Sequence, residues 1–321
     1  MAESYDVIII GAGAAGLTAS IYTARKKLKT LNISVDVGGQ SNLTVHIENY
    51  PGYFKHTPGY PSGPKLMQLF EEQANSFGAE RIGGKVVKIS KSKANFVVEL
   101  SNNEKYECKA VILAYGKVQR MLGIPGEDKF FGRGVSTCAT CDAPLFRNKT
   151  VAIVGGGNSA LEAAELLSRF SNKVYLIHRR DAFRADEITI DKVKATGKVE
   201  FVLNSVPKEV KGEKFVTGLV VTDVNTNKDS ILAVQGVFIE IGYVIETTLV
   251  KDLVKLNENN EIIVNSRCET SMEGLFAAGD LTNVPYKQTV ISAGEGAIAA
   301  LSAYNYIQKT EGKPAIKSDW G

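Results

Sequence analysis

Tyr5-Asp-Val-Ile-Ile-Ile-Gly-Ala-Gly-Ala-Ala-Gly16 opens the chain, and Thr150-Val-Ala-Ile-Val-Gly-Gly-Gly-Asn158 repeats its pattern halfway along. Each joins an apolar run of strand length to a glycine-rich turn and a helix-forming stretch. Ala14–Lys27 reads as the first helix and Thr30–Val35 as the next strand. After the second turn, a helix is expected from Asn158 to about Phe170 and a strand over Lys173–His178. Both are βαβ openings. Two of them predict an α/β protein with two Rossmann-like dinucleotide-binding domains.

The bulk composition agrees. The chain has 321 residues, too many for one small domain and comfortable for two. It is 44% hydrophobic and 23% charged, which supplies a large core. The net charge of +3, from 38 basic and 35 acidic residues with no basic stripe, argues against nucleic acid as a partner. The longest apolar runs, such as Val7–Ile10 and Ala110–Ala114, fall far short of the ~20 residues of a membrane span. No charged leader or apolar segment precedes Tyr5, so a cytoplasmic protein is expected. Four cysteines are too few for a secreted disulfide scaffold.

Between the two openings, Ser62-Gly-Pro-Lys65 reads as a helix start with Pro64 in the first turn, and Phe77-Gly78 as its end. Lys85–Ile89, Asn95–Leu100 and Tyr106–Leu113 read as strands, the first two joined by a polar turn. A strand-rich stretch covers Glu200–Ile241, and a helix is expected from about Val290 to Gln308. The natural parse is one nucleotide domain interrupted by another. Residues 1–117 join 246–321, and 118–245 are inserted. Gly116 and Gly242 sit near the two crossings, where hinges belong.

Gly11, Gly13 and Gly16 give G-x-G-x-x-G between strand and helix. Such glycines allow a tight turn, close backbone approach to a pyrophosphate, and helix–strand packing. The helix start at Ala14 then offers free N–H groups to the phosphates. Twenty residues beyond Gly16 stands Asp36, where the fingerprint expects a carboxylate for an adenosine ribose; a solvated loop aspartate is the alternative. The second loop has Gly155, Gly157 and Ala160, with Asn158 and Ser159 opening its helix. Twenty residues beyond Ala160 comes His178-Arg179-Arg180, with Arg184 four residues later. Guanidinium groups at that offset match a 2′-phosphate, so this site is expected to take NADPH. The first site, without them, suits an unphosphorylated ribose such as that of FAD.

Cys138-Ala-Thr-Cys141 has redox spacing and stands just before the second loop. One thiolate attacks a disulfide, and its neighbour resolves the mixed disulfide. Zinc would need four ligands, whereas Cys108 and Cys268 are isolated and the chain has three histidines, so no metal is expected. Asp142 follows directly and is placed to relay a proton, or to cap a turn.

Taken together, these residues resemble the low-molecular-weight thioredoxin reductases over essentially the whole chain. The motifs are Gly11–Gly16, Gly38-Gly-Gln40, Glu48-Asn-Tyr-Pro-Gly52, Gly123-Ile-Pro-Gly126, Cys138–Asp142, Gly155–Ala160, His178–Arg180, Gly274–Asp280 and Lys287-Gln288. The resemblance implies a three-layer ββα build for each domain, with the NADPH domain inserted into the FAD domain. It implies that Gly39, Gln40, Asn49, Gly279, Asp280, Lys287, Gln288 and Thr289 join Gly11, Gly13, Ala14, Gly16 and Asp36 around FAD, with Asp280 near the ribityl–pyrophosphate region. Cys141 would lie against the flavin, Cys138 would attack a partner disulfide, and Asp142 would be the acid. Family members are usually homodimers, and their inserted domain rotates.

The implied activity passes hydride from NADPH to FAD, then electrons to the Cys138–Cys141 disulfide, then to thioredoxin or a thioredoxin-fold protein. Three rivals stand beside it: a flavin-dependent dithiol oxidase, a reductase feeding ferredoxin, and a flavin-based redox sensor. The arginines speak against the first and the dithiol against the second. The chain departs from the family at Ala114-Tyr115-Gly116, usually Ala-Thr-Gly, and at Gly242-Tyr-Val-Ile-Glu-Thr247, usually Gly-x-x-Pro-Asn-Thr. Ala143 also replaces a glycine after Asp142. These changes bear on the hinge and on partner fit.

Overall fold

The computed structural model describes residues 3–43, 47, 49–53, 62–92 and 95–314. It contains two compact units, Met1–Lys117 with Ile245–Gly321, and Val118–Val244. The first begins with β1 (Glu3–Ile10), α1 (Ala14–Arg25), β2 (Thr30–Ser34), α2 (Gly63–Ser76), β3 (Glu80–Gly83), β4 (Val86–Ser92), β5 (Asn95–Leu100) and β6 (Lys105–Leu113). The second holds β7 (Val118–Gln119), α3 (Glu127–Phe130), β8 (Val135–Ser136), α4 (Ala139–Asp142), β9 (Thr150–Gly155), α5 (Asn158–Ser168) and β10 (Lys173–Ile177). It continues through α6 (Glu187–Ala195), β11 (Val199–Val202), β12 (Ser205–Gly212), β13 (Val216–Asp223), β14 (Asp229–Leu232), β15 (Gly236–Glu240) and β16 (Tyr243–Val244). The chain then returns to the first unit with β17 (Leu275–Ala277) and α7 (Thr289–Thr310).

Strand alternation builds the layers of the first unit. Its parallel strands run β3-β2-β1-β6-β17. Successive side chains point to opposite faces. Val7, Ile9, Ala110 and Ile112 therefore pack on one face against Ala15 and Ala19 of α1 and Ala299, Ala300 and Ala303 of α7. Ile8, Ile10, Val111 and Leu113 face the other way, onto Ile89, Phe96, Val98 and Leu100 of the β4–β5 hairpin. Strand β6 serves two partners on one edge. Its first half pairs antiparallel with β5, from Glu99↔Lys105 to Phe96↔Cys108, and its end pairs parallel with β17 at Val111–Leu113.

The second unit repeats the plan. Parallel strands run β11-β10-β9-β15-β8. Val151 and Ile153 pack on Ala160, Leu161, Ala164 and Leu167 of α5. Ala152 and Val154 pack on Val210, Val216, Leu219 and Val221 from the antiparallel β12–β14 sheet. Helices, a parallel sheet and an antiparallel sheet thus form three layers in each unit, the Rossmann-like ββα architecture expected from the sequence.

Element ends differ from expectation by a few residues, for local reasons. α1 stops at Arg25, because Lys27 takes a left-handed backbone with φ 58°. β2 ends at Ser34, and Val35 is 72% exposed. α2 starts as expected: the Ser62 hydroxyl accepts the Lys65 N–H at 3.3 Å, with Pro64 in the first turn. The turn expected between β4 and β5 falls at residues 93–94, outside the described residues. Helix α6 was not expected; it buries only Val193, so it leaves almost no apolar stripe to read.

β15 ends on a charged residue. Alternation puts Glu240 on the same side as Phe238, which packs against α5. Burial, with a smaller contribution from Glu162, pushes the Glu240 carboxyl up to about 7.

Two stability outcomes follow from this packing. Phe96 is fully buried between sheet and hairpin, so Phe96→Ala should lower the stability of the first unit by about 3–5 kcal/mol in denaturant titration. The folded chain holds a proton on Glu240 more tightly than the unfolded chain does, so its penalty is absent below about pH 4.5 and grows as pH rises towards 7. Glu240→Gln should remove about 2–3 kcal/mol of that loss. The measurement is unfolding midpoint against pH, and an unchanged slope in the variant would count against a raised Glu240 carboxyl.

Candidate functional site

The first cleft forms beyond the carboxyl ends of β1, β6 and β17, where open α/β sheets bind ligands. A Cβ on Gly11 would strike the Ala114 carbonyl, and one on Gly16 would strike the Gly11 carbonyl; chain crossing and helix packing leave no room. Gly13 differs. The nearest atom to a Cβ there is the Gly38 carbonyl oxygen at 4.0 Å, so the loop stays open on the side where a phosphate would lie. No side chain caps α1 at Gly13. Its first N–H groups are left for an anion.

The predicted residues connect to this loop, or to one another, to different degrees. Gly38 N–H donates to the Ala12 carbonyl at 2.7 Å, which brings Gly39 opposite Gly13. Gln40 Nε2 donates to the Lys117 carbonyl at 3.0 Å. Asn49 Nδ2 donates to Gln288 Oε1 at 3.0 Å, and Ser41 meets Thr289, the first residue of α7, hydroxyl to hydroxyl at 3.4 Å. Asp280 follows Gly279 just past β17, and its Oδ1 accepts the Ser292 hydroxyl at 3.3 Å. Lys287 is engaged elsewhere: its ammonium pairs with Glu261 at 3.1 Å and donates to the Thr282 carbonyl, which braces the turn. Asp36 is exposed just beyond β2, with its backbone tied to the Ser34 hydroxyl.

The second cleft lies above β9, β10 and β15. Gly157 has open space around it, and α5 starts there with no side-chain cap. Ala160 is fully buried against Gly155. A Cβ on Gly156 would strike the His178 ring, which in turn stacks on Phe183 with centroids 5.5 Å apart. Arg184 N–H donates to the Gly156 carbonyl at 2.8 Å, so the arginine loop is latched directly to the glycine loop. The Asn158 and Asp186 groups exchange two hydrogen bonds, at 2.9 and 3.0 Å, across the same junction. Ser159 is exposed in the first turn of α5.

Arg179, Arg180 and Arg184 are exposed, and among the described residues no carboxylate pairs with any of them. Burial, reinforced by these three cations, holds the His178 imidazole below its ordinary value, so the ring is neutral at pH 7. Three unpaired guanidiniums beside an open glycine loop fit a dinucleotide with one extra phosphate.

Cys138 and Cys141 are joined by a disulfide, with Cα atoms 5.3 Å apart. Ser136 Oγ accepts the Cys138 N–H at 3.0 Å, and Cys138 Sγ accepts the Cys141 N–H at 3.1 Å. That second bond would favour a thiolate on Cys138 after reduction. The Asp142 N–H donates to the Cys138 carbonyl at 3.1 Å, and its carboxylate caps no helix. Ala143 and Phe146 anchor the segment in the core against α5, while Leu145 between them is 67% exposed. Cys108 and Cys268 are buried thiols, and burial pushes Cys268 up to about 12. Among the described residues no cluster of metal ligands forms.

Two carboxylates escaped the sequence reading. Glu127 is buried and accepts the N–H groups of Leu122 and Gly123 at 2.6 and 2.7 Å, fixing the turn after the first crossing. Glu295 is buried behind Gly279. Its one legible signal is a single charge within the small-residue run Ser292-Ala-Gly-Glu-Gly-Ala297.

Comparison with known proteins converges on one family. Residues 5–297 match the family model described as pyridine nucleotide-disulphide oxidoreductase. The chain is 41% identical over 308 residues to the thioredoxin reductase of Rickettsia conorii, covering 94% of this chain and 98% of that one. It is 40% identical over 309 residues to the Bacillus subtilis thioredoxin reductase, covering 96% of each. The crystal structure of Lactococcus lactis thioredoxin reductase matches with a TM-score of 0.83 at 38% identity, covering 95% of this chain and 99% of that one. The chain is therefore an oxidoreductase that belongs to the thioredoxin reductases of the pyridine nucleotide-disulphide oxidoreductase family.

Proposed function

We propose that this chain is an NADPH-dependent flavoprotein that reduces the disulfide of thioredoxin or of a thioredoxin-fold protein. The carrying observation is the Cys138–Cys141 disulfide in the same unit as a glycine loop latched to a segment that carries Arg179, Arg180 and Arg184, none of which has a carboxylate partner among the described residues. FAD fits the first cleft: Gly13 leaves an open cradle, α1 is uncapped, Gly279 beside Asp280 abuts Ala15 of α1, and Thr289 meets Ser41 of the Gly39–Leu43 turn. When bound there, FAD supplies the two-electron step between nicotinamide and disulfide.

The chain's own groups do the rest. Arg179, Arg180 and Arg184 hold the 2′-phosphate, and the N-terminus of α5 holds the pyrophosphate. His178 keeps the arginine loop against Gly156. Once the disulfide is reduced, Cys138 attacks the partner's disulfide, its thiolate steadied by the Cys141 N–H. Cys141 then resolves the mixed disulfide and restores the Cys138–Cys141 bond. Asp142 moves the proton at the dithiol. The net reaction takes two electrons and one proton from NADPH, and one proton from solvent, to convert the partner's disulfide to a dithiol.

The dithiol and the coenzyme loop belong to one unit and the flavin cleft to the other. Each must be presented to the flavin in turn. Gly116 and Gly242, with φ of 66° and 92°, are the residues proposed to absorb that rotation. A homodimer in the cytoplasm is the proposed working form. A dithiol oxidase would have no use for three unpaired guanidiniums.

The direct test is anaerobic titration of the yellow protein with NADPH, followed by addition of oxidised thioredoxin. Flavin bleaching and then disulfide reduction are expected; no bleaching by NADPH, with oxygen-dependent oxidation of dithiols in a parallel aerobic assay, would favour the oxidase. Cys138→Ser should retain bleaching by NADPH but lose thioredoxin reduction by a factor on the order of 10³ or more. Arg180→Ala should raise KM for NADPH by about 10–100-fold and leave KM for NADH nearly unchanged. An equal rise for both coenzymes would remove Arg180 from the 2′-phosphate site.

A further inference from the structure

We propose that Glu295 and Gly296 of α7 together position the flavin dinucleotide, Glu295 by gripping the turn that carries Asp280 and Gly296 by seating α7 on α1. This rests on the reading that the first cleft holds FAD. Gly279, Asp280, Leu281 and Thr282 form a tight turn, closed by the Thr282 N–H, which donates to the Gly279 carbonyl at 3.0 Å; the Thr282 hydroxyl lies 2.9 Å from the same carbonyl and shares its single proton between that oxygen and Glu295. Glu295 Oε2 accepts the Gly279 N–H at 2.7 Å and the Thr282 hydroxyl at 3.0 Å. A single carboxylate oxygen therefore holds both ends of the turn from below, and Asp280 projects from its middle.

The next residue faces the phosphate-binding helix. A Cβ on Gly296 would fall on the carbonyl oxygen of Ala15, in the first turn of α1. A Cβ on Gly279 would come within 3.0 Å of the Ala15 side chain, so turn, α1 and α7 meet at one point. Adjacent residues of α7 thus fix the Asp280 turn and the N-terminus of α1 relative to one another. Any ligand spanning phosphate and ribityl groups must bridge that gap. Preorganised donors and acceptors lower the cost of ordering the site on binding.

The charge state suits the task. Burial raises the Glu295 carboxyl, Asp280 raises it further, and the Gly279 N–H, Thr282 hydroxyl and Lys287 only partly offset them. The thiol of Cys268 faces the Glu295 carbonyl at 3.6 Å and not its carboxylate. A dinucleotide bound in this cleft would add more negative charge. What the turn needs from residue 295 is an acceptor, not an anion, so glutamine should serve where alanine does not.

The experiment uses the full chain stripped of flavin, with FAD added back and affinity read from fluorescence quenching and the visible circular dichroism of the bound flavin. Glu295→Ala should weaken FAD about tenfold or more and alter the dichroic band. Glu295→Gln should stay within about threefold of the parent and keep its band. Thr282→Val, which removes one donor without a change of size, should weaken FAD by a smaller factor. Far-UV spectra and unfolding midpoints check that each variant folds. If Glu295→Ala fails to fold, Thr282→Val and Glu295→Gln decide. Parental affinity in folded Glu295→Ala, or in Thr282→Val, overturns the proposal. Equal weakening by Gln and Ala would assign the effect to charge and overturn it too. A parent chain that does not bind FAD would instead remove the reading of the cleft on which the proposal stands.

Discussion

The constraint on which the first unit depends is the close approach of α1 to the strand ends beneath it. Gly16 stands against the Gly11 carbonyl, and Gly11 against Ala114 at the end of β6. Side chains at those points would push the helix away from the sheet. The helix N-terminus would then no longer sit above the loop, and the N–H groups that face Gly13's open space would be misdirected. The second unit uses the same device, with Ala160 taking the third small position. Both clefts are therefore by-products of packing: a helix that must touch a sheet leaves its free donors at the sheet's carboxyl edge.

The two units share this frame and differ in what surrounds it. The first cleft is enclosed by elements remote in sequence, namely the Gly39–Leu43 turn, Asn49, the Asp280 turn and the start of α7. The second is built almost locally, from Gly155 to Asp186. Its recognition charge lies on one loop after β10, latched by Arg184 to Gly156 and stiffened by the His178–Phe183 stack. A tightly held cofactor suits a cleft closed on many sides. A coenzyme that must leave each cycle suits an exposed loop with a charged handle.

The dithiol shows how local geometry selects a chemical role. Cys138 and Cys141 are close because α4 makes one turn between them, and that turn directs the Cys141 N–H at the Cys138 sulfur. Ala143 and Phe146 fasten the segment to the core, leaving Leu145 outside. The replacement of glycine by Ala143 is accommodated, since that residue packs in the core. Tyr115, bulkier than the usual threonine, packs beside the β4–β5 hairpin core and leaves its hydroxyl buried without a partner.

Much of this was legible in the order of the residues. Apolar runs of strand length, glycines at fixed offsets and arginines twenty residues on are local patterns, and local patterns survive in one dimension. They gave both βαβ openings and the dithiol, and they marked the arginine-bearing loop after β10; the three-layer build came with the family resemblance. Less was legible wherever a side chain acts across a long loop. The sharing of β6 between β5 and β17 joins residues as distant as Val111 and Leu275, and Lys287 reaches back to Glu261; Glu295 and Glu127 act over shorter spans, but on backbone N–H groups that no residue pattern marks. A buried carboxylate reads in sequence like any surface glutamate, because what distinguishes it is the set of N–H groups that the chain brings to it. The sequence by itself determined which chemistry the chain carries; the tertiary structure decided which groups hold that chemistry in place, since burial and hydrogen-bond pairing exist only once distant segments meet.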